Sequence, residues 1–196
     1  FKRKGDNINN NSNDDRYEII SLPLIHRLSG KEINFVNGYF APHQGPSANE
    51  EAMRFKTKLL SFLHHQKTIF MGDVNARHPE WDEGAQSLVA FGTTVTSFIR
   101  GDRLRELCLQ KLMAILAPNK PTSHGGSAST KNGEESKGAN PDVIIVPRQY
   151  AQRATVECFE YDEKDHHAIF AKIPVFCNKP VISTEQRRHH ILYPNN

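Results

Sequence analysis

The sequence has few cysteines, no long apolar segment and little net charge, and each shortage excludes a class of protein. Its three cysteines, Cys108, Cys158 and Cys177, are odd in number and contain no close pair. A disulfide framework is therefore not expected, and the protein is expected in a reducing, intracellular compartment. The apolar runs are far shorter than the about 20 residues of a membrane-spanning helix, and no targeting signal can be read. The net charge of +3 fits a nucleic-acid partner without requiring one.

Composition divides the chain into three stretches. Residues 1–16 are polar and asparagine-rich, and they are predicted to form a disordered lead. Residues 17–176 alternate between strand-like and helical patterns, which indicates one mixed-sheet α/β domain. Residues 177–196 show little periodicity and are predicted to be a linker or tail.

The first half of the domain has the clearest elements. Runs at 17–25 and 31–40 predict an antiparallel hairpin, and Pro23 places the first run at an edge or a bulge. Ser47 and Glu50 have the spacing of a capping box, and the apolar residues that follow predict a helix over roughly 48–66. A strand at 67–71 comes next.

The second half is less regular. Residues 87–99 fit a helix or a strand equally well, whereas 100–116 predict a helix with Asp102 as N-cap that ends in a short strand. Residues 123–140 are rich in glycine and serine and predict a long loop. Further strands are predicted at 141–147, 154–161 and 167–175.

Three short motifs place polar residues at strand ends. In "GDVNA", the strand delivers the Asp73 carboxylate and the Asn75 carboxamide to one face at its carboxyl end, where α/β proteins tend to bind ligands. A plain turn explains this pair equally well, because Asp and Asn side chains bond to nearby backbone. Taken singly, Asp142 in "PDVIIV" fits a turn, and Asp165 and His166 in "DHHAIF" fit a solvated pair.

Together and in this order, the three motifs resemble the endonuclease/exonuclease/phosphatase superfamily. The segments "NARHPEWD", "RGDRLREL" and "PTSH" narrow the resemblance to the endonuclease domains of non-LTR retrotransposons. The resemblance covers about residues 17–176. It implies a four-layer α/β sandwich, in which two mixed β-sheets are flanked by helices and the active site lies at one end.

The resemblance also implies an activity and a role for each motif residue. The activity is Mg²⁺-dependent phosphodiester hydrolysis that nicks target DNA, in the nucleus, with a reverse transcriptase fused to the domain in the full element. Asp73 would orient or deprotonate the attacking water, and Asn75 would hydrogen-bond the scissile phosphate. His166 would stabilise the phosphoryl oxygens, Asp142 would orient the His166 ring, and Asp165 would coordinate Mg²⁺.

The loop after the first motif offers further candidates. Arg77 and His78 are candidate contacts to the DNA backbone, although a solvated loop explains them equally well. Trp81 is expected to be a packing anchor for this loop rather than a platform for bases.

Two departures from the family pattern leave alternatives open. Phe40 stands where the family carries a tyrosine before Ala-Pro, which would remove a phosphate-directed hydroxyl. No stretch before Phe35 resembles the family's first third, which brings an asparagine and the glutamate that is the principal metal ligand. The chain is therefore expected to be N-terminally truncated. The alternatives are a decayed, non-catalytic nucleic-acid-binding remnant and a phosphodiesterase of the same superfamily that acts on small phosphate esters.

Overall fold

The computed structural model describes residues 2–3, 17–42, 47–63, 67–82, 84–85, 96–118, 120–123, 138–160 and 166–175. Its elements, in chain order, are β1 (Lys2–Arg3), β2 (Tyr17–Ile25), β3 (Glu32–Phe40), α1 (Ala48–Leu60), β4 (Thr68–Asp73), α2 (Thr96–Gln110), β5 (Met113–Leu116), β6 (Asp142–Pro147), α3 (Arg148–Ala151), β7 (Thr155–Phe159) and β8 (Ala168–Lys172).

Two sheets make up the strand structure. The large sheet has the order β1-β2-β3-β4-β6-β5, and β7 and β8 form a separate two-stranded sheet. In the large sheet, β3 and β4 run parallel and are joined by α1, whereas the other neighbours are antiparallel. The predicted α/β class is confirmed, and the large sheet is mixed. The small sheet is antiparallel over the residues that the structure describes.

The predicted hairpin is confirmed, with Tyr17 opposite Phe40 at one end and Ile25 opposite Glu32 at the other. Within the lead expected to be disordered, Lys2 and Arg3 instead pair with the end of β2. The rest of that lead, most of the 123–140 loop and the tail after residue 175 lie outside the described residues.

The helices differ in detail from the sequence expectation. Helix α1 begins after Ser47 as predicted, but the Ser47 side chain makes no capping hydrogen bond, so the capping-box prediction is wrong. Helix α2 begins at Thr96, six residues before Asp102, so Asp102 is not its N-cap. Of the segment 87–99 that fitted either element, the described part from residue 96 is helical.

The two faces of the large sheet bury different cores. On one face, strand residues such as Phe40 and Phe70 pack against Phe55 of α1 and Leu104 of α2. On the other, residues including Ile69 and Ile144 pack against the small sheet. Because side chains alternate along a strand, Asp73 and Asp142 lie on the small-sheet face, each at the end of its strand.

Candidate active site at the strand ends

Two glycines allow β3 and β4 to approach each other closely just before Asp73. Gly38 of β3 and Gly72 of β4 are register partners, and a Cβ added to Gly72 would lie 1.9 Å from the Gly38 carbonyl oxygen. Only glycine allows the strands to meet in this way. The next pair in the register is Tyr39 and Asp73.

Asn75 holds the Asp73 carboxylate from two sides. Its backbone N–H donates to Asp73 Oδ1 at 2.9 Å, and its side-chain Nδ2 donates to Asp73 Oδ2 at 3.1 Å. Nδ2 also donates to the Phe40 carbonyl at 3.0 Å, so both amide N–H groups have acceptors. Asn75 has a φ of 44°, in the left-handed region that asparagine tolerates better than most residues. In this arrangement the amide offers only its oxygen to a ligand.

Asp142 fixes the His166 ring. Asp142 is the register partner of Asp73 across β4 and β6, and its Oδ2 lies 2.9 Å from His166 Nδ1. The predicted hydrogen bond between these two side chains is confirmed. Thr122 Oγ1 donates to the same Oδ2 at 2.7 Å. This leaves His166 Nε2 facing Asp73 Oδ2 at 4.0 Å, with 43% of the histidine side chain exposed.

We call Asp73, Asn75, Asp142 and His166 the strand-end cluster. The structure brings these four predicted site residues together, from three separate parts of the chain. Asp165, the predicted metal ligand, lies outside the described residues, so its role stays a prediction.

The cluster has an electrostatic signature at Asp73. Burial raises the pKa of the Asp73 carboxyl to about 6, the bond from the Asn75 backbone opposes this rise, and the neighbouring Asp142 charge adds to it. His166 and Arg100 lower the pKa by smaller amounts. At neutral pH the carboxylate is therefore ionised, yet close enough to its pKa to accept a proton.

The donor set suits a divalent cation. Ligand atoms of Asp73, Asp142 and His166 all lie within 4.8 Å of one another. Two carboxylates and an imidazole are donors that hard or borderline divalent ions accept. The two aspartates also repel each other, which a cation between them would relieve.

Arg77 and His78 are engaged within their own loop and with α2. Arg77 Nε lies 2.5 Å from the buried Asp82 carboxylate. His78 stacks on Trp81 with ring centroids 4.9 Å apart, its Nε2 lies 3.5 Å from Asp102, and burial lowers its pKa. Their contact with DNA remains a prediction. Trp81 is 4% exposed and donates to the Ala76 carbonyl, which confirms its expected packing role.

Tyr39 is a candidate that the sequence reasoning missed. Phe40 is fully buried among Tyr17, Phe55 and Phe70 on the helix side of the sheet. Tyr39 points to the opposite face, beside Asp73, and is 42% exposed. The phenol absent from position 40 is thus present on the site face one residue earlier. The alternation of a strand is the signal that would have found it.

Thr122, Glu51 and Arg100 were missed as well. Thr122 is fully buried and bonded to Asp142. Glu51 and Arg100 form a buried ion pair behind the cluster. Both of these lie four residues from a core residue of their own helix, Phe55 and Leu104, which is the spacing of a shared helix face.

The raised pKa of Asp73 predicts a pH-dependent gain in stability for Asp73→Asn. Because the folded-state pKa is about 6 and the ordinary value is 3.8, ionisation of Asp73 destabilises the fold as pH rises through this range, and the cost is complete above it. Asn75 donates to both oxygens of Asp73, and an asparagine at position 73 can accept only one of these bonds at any pH. We therefore expect the unfolding free energy of the variant relative to the wild type to be about 1–3 kcal/mol higher at pH 8 than near pH 4. Urea unfolding at both pH values measures this difference.

Asp102→Asn is the matched control, since Asp102 is 72% exposed and its replacement should change the unfolding free energy by less than about 0.5 kcal/mol at either pH. If the difference in unfolding free energy between Asp73→Asn and the wild type were the same at both pH values, burial would not raise the pKa of Asp73 as described.

Fold and cluster together define an α/β protein with side chains suited to the hydrolysis of phosphate esters. Residues 33–170 match the family described as endonuclease-reverse transcriptase, and the chain belongs to this family of the endonuclease/exonuclease/phosphatase superfamily. The family assignment made from the motifs is confirmed. The members of this superfamily are hydrolases that generally use divalent metals.

Among solved structures, a mannosyl-6-phosphatase from Bacteroides thetaiotaomicron matches with 11% identity and a TM-score of 0.40, over 80% of this chain and 57% of its own length. The chain therefore spans little more than half of that phosphatase, and a likeness at this level carries no conclusion about activity. No curated protein matches the sequence. Within the described part of the chain, no helix has the length and apolarity needed to cross a membrane.

Proposed function

We propose that the chain is the metal-dependent DNA endonuclease domain of a retrotransposon, acting in the nucleus beside a reverse transcriptase. Its reaction would be hydrolysis of one phosphodiester bond in target DNA, leaving a 3′-OH from which reverse transcription starts. The strand-end cluster carries this proposal, because it aims an ionised carboxylate and a histidine nitrogen at the same space, 4.0 Å apart.

That space fits the oxygen of the attacking water, next to the phosphoryl group. An oxygen between Asp73 Oδ2 and His166 Nε2 can lie about 2.8 Å from each, a normal hydrogen-bond length. Asp73 accepts one proton of the water that attacks phosphorus. The bond from phosphorus to the O3′ of the upstream nucleotide breaks, and the leaving O3′ takes up a proton to become the 3′-OH, while the phosphate stays on the 5′ end. The products are one phosphate end and one hydroxyl end.

His166 stabilises the charge that develops on the phosphoryl oxygens. Asp142 accepts the Nδ1–H, which fixes the ring and leaves Nε2 on the substrate side. A protonated Nε2 donates to a phosphoryl oxygen most strongly in the transition state. Thr122 in turn holds Asp142.

Asn75 acts on Asp73 rather than on the phosphate. Since its two N–H groups are used by Asp73 and the Phe40 carbonyl, it cannot donate to a phosphoryl oxygen without breaking one of these bonds. Its role is to orient the carboxylate. The Tyr39 hydroxyl, on the same face beside Asp73, is a better donor to the substrate phosphate.

Asp73 would hold the cation, and Asp142 lies close enough to add its negative charge. Asp165 is the further ligand that the family resemblance implies. When bound, a divalent ion such as Mg²⁺ neutralises negative charge on the phosphoryl group. Mg²⁺ gives up its waters reluctantly and needs carboxylates in addition to substrate oxygens. The family resemblance implies a further glutamate ligand, for which residues 1–34 offer no matching motif.

Nicking of supercoiled plasmid tests the proposed function. We compare the 196-residue chain with an extended chain, in which the first third of a related active endonuclease precedes residue 1. At millimolar Mg²⁺ we expect the extended chain to nick plasmid at least about tenfold faster than the 196-residue chain, because it adds the glutamate ligand. EDTA should stop the reaction of both chains.

The two alternatives give other results in the same experiment. Hydrolysis of small phosphate esters without plasmid nicking by the extended chain would indicate a phosphodiesterase of another specificity. Salt-sensitive DNA retention without any hydrolysis would indicate a non-catalytic remnant. Nicking by the 196-residue chain as fast as by the extended chain would contradict our description of the metal site.

A further inference from the structure

We infer that Arg100 is a positioning residue of the strand-end cluster, which fixes Asn75 and Asp73 through the backbone at the ends of β3 and β4. This inference rests on the proposed function, since it assigns Arg100 a part in the same reaction. Arg100 lies on α2 and makes no direct contact with Asp73, Asp142 or His166 among the contacts of the described residues.

Arg100 is almost completely enclosed, with 1% of its surface exposed. Its guanidinium has five N–H donors, and all five have acceptors. Nε and one Nη2 hydrogen bind the two carboxylate oxygens of Glu51. Tyr17 donates to one of these oxygens at 3.0 Å, and the Phe55 ring lies beneath the guanidinium carbon at 5.2 Å.

The other three donors bind backbone carbonyls next to the cluster. Nη1 donates to Val74 at 3.0 Å and to Phe40 at 3.3 Å, and Nη2 donates to Ala41 at 3.1 Å. Val74 is the residue between Asp73 and Asn75. The Phe40 carbonyl is the same one that accepts the Asn75 side-chain amide.

These contacts connect Arg100 to the orientation of Asp73. The Phe40 oxygen is held at one side by Arg100 and receives Asn75 at the other, and Asn75 in turn binds both oxygens of Asp73. The backbone between them must also hold Asn75 at positive φ. One guanidinium thus locks the two strand ends against each other, and its planar fork is needed to reach three carbonyls and a carboxylate at once.

Arg100→Lys tests this inference, because lysine keeps the charge beside Glu51 but lacks the fork. In the extended chain we expect kcat for nicking a labelled oligonucleotide to fall about tenfold to a hundredfold, as misplacement of a reacting group does, with KM within about twofold. Leu104→Ala is the control for lost stability. Leu104 is a buried neighbour on the same helix, and its truncation should leave kcat within about twofold at a temperature where both variants are folded.

A second measurement separates positioning from structure. Because Arg100 and Asn75 both act on the position of Asp73, the variant with both Arg100→Lys and Asn75→Ala should lose much less rate than the product of the two single losses. A merely structural role predicts that the two losses multiply. Multiplying losses, or an unchanged kcat in Arg100→Lys, would overturn the inference.

NMR of the 196-residue chain decides the question even if no form of the protein nicks DNA, in which case the proposed function fails by itself. In the wild type, the chemical shifts of the Asn75 side-chain amide protons should differ from those of a solvent-exposed asparagine, and these protons should be protected from exchange. We expect both properties to be lost in Arg100→Lys and kept in Leu104→Ala. If the Asn75 signals were the same in all three proteins, Arg100 would not position Asn75.

Discussion

Replacing His166 by alanine should reduce plasmid nicking by the extended chain by about a hundredfold to ten-thousandfold, the range for loss of a positioned acid–base or charge-stabilising group. His166 is the exposed member of the strand-end cluster; its Nδ1 bonds Asp142, and its Nε2 lies toward Asp73. The nicking rate at saturating DNA measures the loss.

His167→Ala is the matched control for this prediction. His167 is the next residue, and in an extended segment its side chain points away from that of His166. Its backbone N–H donates to the Thr122 carbonyl at 2.7 Å, and this bond survives the substitution. We expect a rate within about twofold of the wild type. Equal losses in both variants would mean that the segment, and not the imidazole of His166, matters.

Arg100→Met should destabilise the fold by about 3–5 kcal/mol, because it leaves Glu51 charged, buried and without its partner. For a chain of this size the melting temperature should fall by about 2–4 °C for each kcal/mol. Chemical unfolding of the 196-residue chain measures the loss of free energy directly.

Arg103→Met is the control for this loss, on the same helix and with the same change of side chain. Arg103 pairs with Glu106 at the surface, where the two side chains are 39% and 41% exposed, and an exposed pair contributes about 0–1 kcal/mol. If the two variants lost similar stability, burial of the Arg100–Glu51 pair would not have the energetic weight given to it here.

The sequence was sufficient to predict the elements that build the site. Strand-like apolar runs and helical spacing predicted β2, β3, α1 and β6 to within a few residues at their starts, because these elements bury one face or both against the core. Polar residues at strand ends predicted the cluster, since the ends of neighbouring strands lie close together at one end of the sheet.

Local signals failed where tertiary contacts override them. Ser47 and Glu50 have the residue types and spacing of a capping box, yet Ser47 makes no side-chain capping bond. The acidic residue that makes a buried contact is the adjacent Glu51. Asp102 has the composition of an N-cap, but α2 starts earlier at Thr96. Propensity at a helix end is worth about 1 kcal/mol, less than the packing of the whole apolar stripe.

The side of a strand was the other source of error. The family pattern drew attention to Phe40, but strand periodicity turns Phe40 into the core and Tyr39 to the site. The role of Asn75 likewise depends on which atoms its amide contacts, and no sequence pattern gives the Phe40 carbonyl as an acceptor. Such assignments need the register of β3 and β4, which a single sequence does not fix.

The central claim is that the strand-end cluster hydrolyses a phosphodiester bond in DNA, and the ends of the nick test it most directly. The extended chain is incubated with plasmid and Mg²⁺, and the nicked product is offered to a DNA polymerase with labelled nucleotides. We predict labelled extension from the nick without prior phosphatase treatment, which shows a 3′-OH, and no labelled product with His166→Ala. A wild-type extended chain that is folded and binds DNA but yields no extendable nick would contradict the claim.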